Sequence, residues 1–187
     1  MTPTNIEQRV EGLEETTAQS MLINGCINCI EQCNQILNTV SHENYIDASM
    51  GGASIGAHIR HILDKFHCFF VGLPEACIDY DTRKRDREIE SNIGAAAFAL
   101  ATVGRRIEQL RQAPARDGFI EVREAVLAPS PAVGVSSTLE RELMSLITHS
   151  IHHLAIIALI AKSFGYPIDD DFGKAPSTLV YERNQAS

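Results

Sequence analysis

The chain has 187 residues, of which 44% are hydrophobic, and its 16 basic and 24 acidic side chains give a net charge of −8. This length suits one domain over residues 1–187, with the folded core predicted at about 14–165. Nucleic-acid-binding proteins usually present a basic face. The one basic cluster here, Arg83-Lys84-Arg85, is interrupted by acids on both sides and is interpreted as a solvated loop. We therefore expect no nucleic-acid partner.

The first two predicted elements are helices. Apolar residues at helical spacing predict the first helix over residues 14–40. The second covers about 54–71, with Ser54 as its expected N-cap and Gly72 as its end. The charged segment that follows, residues 78–88, is predicted to be a loop.

Ser91 is the expected N-cap of a third helix, which ends before Pro114. Residues 119–126 alternate weakly and are rich in β-formers. With residues 133–136 they are compatible with a short β-hairpin before the last helix.

The last helix opens at Ser137-Thr-Leu-Glu140, which has the form of a capping box, and ends near residue 164. The tail, residues 169–187, is predicted to be loosely ordered. Four long helices in one chain predict an all-α fold, a four-helix bundle. The long links on either side of the third helix permit parallel neighbours, as in an up-down-down-up arrangement.

Three of the seven histidines lie on the last helix, in the segment THSIHHLAII. His149 and His153 share one helix face one turn apart, and such a pair can bind one metal ion. His152 lies on the other side of His149 and can compete for this role. The alternative is that these are core histidines with hydrogen-bond partners, since an unpaired buried ring costs about 1–3 kcal/mol.

The second helix carries His58 and His61 on one face, whereas His67 points to the opposite side and is expected at the surface or an interface. One histidine of this helix, together with His149 and His153, would form a three-nitrogen site with open coordination positions. That is the arrangement of a catalytic metal site rather than a closed structural one.

The segments SIGAHIRHILDKFHCFF and ELMSLITHSIHHLAIIALI resemble the DinB/YfiT-like superfamily, over about residues 14–165. The resemblance implies an up-down-down-up four-helix bundle that forms a homodimer, does not bind DNA and holds one divalent metal ion. It implies His61, His149 and His153 as the metal ligands. Because imidazole binds several transition metals, zinc, nickel and iron all stay open.

Two further residues are candidates for catalysis. His58 is either a packed residue or a neighbour of the metal that moves protons near neutral pH. Glu142 lies on the face of His149 and is either a general base or a first-turn acid favoured by the helix dipole.

Five cysteines, an odd number in a chain with no signal-peptide pattern at its start, predict reduced thiols and a cytoplasmic protein. The longest apolar runs are shorter than a membrane span of about 20 residues, so no membrane partner is expected. Cys26, Cys29 and Cys33 lie on one helix, which cannot wrap three thiolates around an ion. They are therefore predicted to be core residues, as is Cys68.

The leading functional hypothesis is a divalent-metal-dependent enzyme that activates a thiol or water towards a small electrophilic substrate. The resemblance implies thiol S-transfer with a low-molecular-weight thiol as cofactor, and hydrolysis is the variant that uses water. The alternatives are a non-catalytic metal-binding or stress-associated protein and a structural bundle whose histidines are hydrogen-bonded.

Overall fold

A computed structural model describes the backbone of residues 5–49, 52–112 and 118–185, and the side chains of these ranges from residue 18 onward. The described elements are α1 (Asn5–Thr39), α2 (His42–Ile46), α3 (Ile55–Gly72), β1 (Cys77–Asp79), α4 (Arg87–Ser91), α5 (Ile93–Gln109), a 3-10 turn (Leu110–Gln112), β2 (Ile120–Glu124), β3 (Val133–Ser137), α6 (Leu139–Ser163) and α7 (Pro176–Gln185). The fold is therefore mainly helical, as predicted, with one small sheet.

The four long helices meet in a shared apolar core. Helix α1 packs against α5 and α6, and α3 packs against the same two helices. The inward face of α3 is fully buried at five large side chains, Ile55, Ile59, Ile62, Phe66 and Phe69. Each such residue stabilises the fold by about 1.5–3 kcal/mol, so α3 and α6 are firmly held against each other.

The predicted start of the second helix is confirmed, and that of the third is wrong by one residue. Ser54 caps α3 by accepting a hydrogen bond from the backbone N–H of Ala57 over 3.1 Å. Asn92, not Ser91, caps α5. Ser91 belongs to the short helix α4, where its hydroxyl donates to the Arg87 carbonyl over 2.9 Å.

The predicted capping box of the last helix is also wrong. Thr138 is the N-cap of α6, and its hydroxyl accepts from the N–H of Arg141 over 3.3 Å. Ser137 is the last residue of β3, and its hydroxyl donates to Glu142 over 2.5 Å. The tertiary contact with a carboxylate thus takes the hydroxyl that the local pattern assigned to the cap.

The predicted hairpin is confirmed: β2 and β3 pair antiparallel, with Ile120 opposite Ser137. The prediction of a loop over residues 78–88 is wrong at both ends, because β1 pairs in parallel with β2 and α4 begins at Arg87. A three-residue strand is too short to show alternation in the sequence.

Glycine allows β1 to lie close against the end of α3. A Cβ added at Gly72 would lie 2.2 Å from the carbonyl oxygen of Cys77, so only glycine fits this approach. Beyond β1, the N–H of Tyr80 donates to the Arg123 carbonyl over 2.9 Å, and the N–H of Arg85 donates to Asp64 on α3 over 3.1 Å. The segment 80–86 is therefore held along α3.

The ends of the chain differ from the prediction. Helix α1 begins at Asn5, earlier than residue 14, and the predicted tail contains the exposed helix α7. Pro114, the expected stop of the third helix, lies outside the described residues. By length and composition α6 could cross a membrane, but a core helix of a globular protein has the same properties, and residues such as Leu146 and Leu154 of α6 are buried in the core.

Candidate metal centre

Helices α3 and α6 bring three of the predicted residues together. His61, His149 and His153 each offer a nitrogen, and these nitrogens all lie within 4.8 Å of one another. The ring centroids are 4.8 Å apart for His61 and His149, and 4.6 Å apart for each of the other two pairs. His149 and His153, which lie one turn apart on α6, thus face the ring of His61 on α3, as the sequence predicted.

His149 has a buried nitrogen without a partner. No described atom forms a hydrogen bond with its Nε2. Burial, followed by the charges of Lys65 and His153, lowers the pKa of His149 to about 3. The ring is therefore neutral at neutral pH, which is the form that binds metal.

His153 is held by His58, one of the two candidates for catalysis. Their Nδ1 atoms are 3.0 Å apart. One of the two Nδ1 atoms must donate the hydrogen bond. When His153 is the donor, its proton lies on Nδ1 and its Nε2 is free to bind a metal. Burial and the neighbouring charges of His61 and His58 lower the pKa of His153 to about 4. Burial and then the charge of His152 also lower the pKa of His58.

His61 has an arginine neighbour that the sequence analysis missed. Nη1 of Arg83 donates to Nδ1 of His61 over 3.4 Å. Burial, then the charges of Arg83 and Arg60, lower the pKa of His61. The prediction of a solvated loop is wrong for the Arg83 side chain, because its Nε is buried. Alternating charges around position 83 gave no signal of this contact.

The other histidines of these two helices lie outside the group. His152 is exposed, and its ring is 5.0 Å from that of His153. It is not among the nitrogens that converge. His67 is exposed, as predicted. We define the histidine cluster as His61, His149 and His153.

Glu142, the second candidate for catalysis, is buried in a different set of contacts. Its two carboxylate oxygens accept hydrogen bonds from Tyr80, over 2.7 Å, and from Ser137. Burial, then this bond and the charge of Glu142, raise the pKa of Tyr80 well above its usual value. Glu142 therefore ties the sheet to the first turn of α6, and both of its oxygens already have donors.

A cleft of about 220 Å³ opens beside this carboxylate, at the N-terminal end of α6. Ser145, one turn before His149, lines it together with Tyr80 and Glu142. A larger groove of about 460 Å³ lies between α3 and α5, with His67 and the exposed Phe98 in its wall. No member of the histidine cluster lines either cavity.

The cysteines on α1 are core residues, as predicted. Cys26, Cys29 and Cys33 are fully buried, and none forms a disulfide. Burial is the main cause that raises the pKa of Cys26 and of Cys29 to about 12. Cys68 on α3 is buried as well.

The residues of the histidine cluster fit a divalent transition metal. Three neutral imidazoles are a common ligand set for such ions, and they leave coordination positions open. The buried, unpartnered Nε2 of His149 gives independent support, because a metal would satisfy it. Comparison of the chain with protein-family models, curated proteins and solved structures finds no match.

Proposed function

We propose that this chain binds one divalent metal ion through His61, His149 and His153. One observation carries the proposal: Nε2 of His149 is buried without a hydrogen-bond partner in a group whose nitrogens lie within 4.8 Å of one another. An unsatisfied buried nitrogen costs about 1–3 kcal/mol. A structural bundle in which hydrogen bonds satisfy the histidines would not leave this nitrogen without a partner.

The proposal includes the finer architecture. We assign α1, α3, α5 and α6 to a four-helix bundle of up-down-down-up topology that forms a homodimer, as in DinB/YfiT-like proteins. The motif residues and the packing of α1 and α3 against α5 and α6 support the bundle. The cytoplasmic location and the lack of nucleic-acid and membrane partners stay predictions from the sequence.

The proposed reaction is metal-dependent attack of a thiol or water on a small electrophilic substrate. A divalent ion in the histidine cluster would supply Lewis-acid chemistry and lower the pKa of the attacking thiol or water. The role of His58 is to orient His153 through the 3.0 Å contact between their Nδ1 atoms. In S-transfer the thiol loses its proton to solvent water, the sulfur–carbon bond forms, and the leaving group departs with its bonding electron pair.

The second candidate is a metal-binding protein without catalysis. It is favoured because the described groups best placed to accept a proton from the thiol or water already take part in hydrogen bonds. Glu142 accepts from Tyr80 and Ser137, and Nδ1 of His58 is paired with His153.

The experiment loads the protein with zinc and measures coupling of 2-mercaptoethanol to 1-chloro-2,4-dinitrobenzene, followed by the absorbance of the thioether. Metal-dependent turnover that is lost in His149→Ala supports the enzyme, with free zinc and His67→Ala as controls. Zinc binding without turnover, repeated across a panel of thiols and electrophiles, supports the non-catalytic alternative. Failure to bind zinc, nickel or iron(II) contradicts both.

A further inference from the structure

Arg83 brings a positive charge to the edge of the histidine cluster. Its Nη1 donates to His61, and its Nε is buried without a partner. Within the described ranges no carboxylate forms an ion pair with Arg83. A guanidinium carries its charge at every physiological pH. The charge of Arg83 therefore has no carboxylate partner among the described residues, although the net charge of the chain is −8.

The backbone that carries Arg83 is fixed on both sides. Asp81 accepts a hydrogen bond from the N–H of Ala125 in the sheet region over 2.8 Å. Asp64 of α3 accepts from the N–H of Arg85 over 3.1 Å. The arginine is therefore held beside α3 by its neighbours in the chain, and not by a salt bridge of its own.

The two buried acids of α3 and α6 already have partners. Asp64 pairs with Arg60 over 2.7 Å, and Glu142 accepts from Tyr80 and Ser137. A partly buried cation without an opposing charge is unfavourable. Such a group is well suited to an anion that arrives with a ligand.

A metal on His61 would break its 3.4 Å hydrogen bond from Arg83. Arginine only donates, so Nδ1 of His61 must be the acceptor. A metal at Nδ1 would take the same lone pair. A metal at Nε2 of a neutral ring would leave the proton on Nδ1, which then cannot accept. In either case metal binding releases the guanidinium of Arg83 next to the metal.

We propose that the released Arg83 binds the carboxylate, or a similar oxyanion, of a small-molecule substrate beside the metal. This inference rests on the proposed metal site and adds the substrate class: small anionic molecules. Paired hydrogen bonds between guanidinium and carboxylate would fix the orientation of the substrate.

The test uses the cobalt(II)-loaded protein, whose absorption spectrum changes when a thiol binds the ion. It compares the Kd of 3-mercaptopropionate, which carries a carboxylate, with that of 2-mercaptoethanol, which does not. The wild type is expected to favour the carboxylate by about 10-fold or more. Arg83→Gln should lose this preference, and Arg83→Lys should keep part of it. Arg105→Gln, at an exposed arginine of α5, is the matched control.

A second readout does not involve the thiols. Because a metal on His61 would break the hydrogen bond from Arg83, Arg83→Gln should bind cobalt more tightly than the wild type. A carboxylate preference that persists in Arg83→Gln would indicate chelation by the probe itself and would overturn the inference. Equal Kd values for the two thiols in the wild type would also overturn it, while the metal site stands. No cobalt uptake by the wild type would refute the metal site and this inference together.

Discussion

The cysteines of α1 and the histidine cluster are two groups of metal-binding residue types with opposite roles. Cys26, Cys29 and Cys33 lie on one helix, and the thiols of Cys26 and Cys29 lie near backbone carbonyls of α6. The histidine cluster draws on two helices, and its rings converge. The cysteines are fully buried and the three rings are half-buried. One of these rings, that of His149, has a buried nitrogen without a partner.

The difference shows that residue type and local spacing do not make a metal site. One continuous helix points its side chains outward along a stripe, and a stripe cannot surround an ion. A second helix that faces the first must supply a ligand from another side of the ion, as α3 does with His61. Four predictions test this contrast, in order of decreasing effect.

Removing a ligand should have the largest effect. His61→Ala and His153→Ala are each expected to lower zinc affinity by more than about 100-fold, since loss of a group that only supports a ligand already costs about 10–100-fold. Competition with a chromophoric chelator measures this. Cys29→Ala and His152→Ala should match the wild type. Loss of affinity in Cys29→Ala, in a folded protein, would contradict the contrast.

The partner of His153 should matter next. His58→Phe removes the 3.0 Å contact between the two Nδ1 atoms and should lower zinc affinity by about 10–100-fold. His67→Phe, at an exposed histidine of the same helix, serves as the control. An unchanged affinity in His58→Phe would show that the contact does not orient the ligand.

Replacing the unpartnered ring should stabilise the metal-free protein. His149→Leu removes a buried nitrogen that has no hydrogen bond and should raise the free energy of unfolding by about 1–3 kcal/mol in the presence of a chelator. Urea unfolding at neutral pH measures it. Cys33→Ala, which removes a fully buried core atom, should instead destabilise. Destabilisation by His149→Leu would indicate a hidden partner for the ring.

The histidine cluster and the cysteines of α1 should lower the free energy of unfolding of the metal-free protein at opposite ends of the pH scale. The folded pKa values of His149 and His153, about 3 and 4, lie below that of an unfolded histidine. The unfolded chain therefore binds more protons, and stability is lost as pH falls from about 6.5 towards 3. For Cys26 and Cys29 the folded pKa is about 12, so stability is lost as pH rises above about 9.

The measurement is the free energy of unfolding against pH in wild type and variants. His149→Leu should flatten the acid side and leave the alkaline side unchanged, and Cys26→Ala should do the reverse. An acid slope that is the same in His149→Leu as in the wild type would contradict the assigned cause.

Local patterns were enough to predict the long helices and the hairpin, whereas the set of His61, His149 and His153 was predicted with the help of the resemblance to a known motif. His149 and His153 are one turn apart in the sequence itself, and the resemblance to a known motif selected His61 over His58. The unpartnered Nε2 of His149 could not be predicted, since it depends on every neighbour in space.

Two of the errors of prediction share a tertiary cause. Arg83 reaches His61 only because β1 turns back along α3 at Gly72 and pairs with a strand about 40 residues later. The hydroxyl of Ser137 goes to Glu142 and not to the helix end. Local patterns contain no information about such partners.

Elemental analysis tests the central claim most directly. Untagged protein, purified without a metal column, is measured for the wild type, His149→Ala and Cys29→Ala. The account predicts about one equivalent of divalent metal in the wild type and in Cys29→Ala, and almost none in His149→Ala. A wild type that holds no metal, even after incubation with zinc, nickel and iron(II), would contradict it.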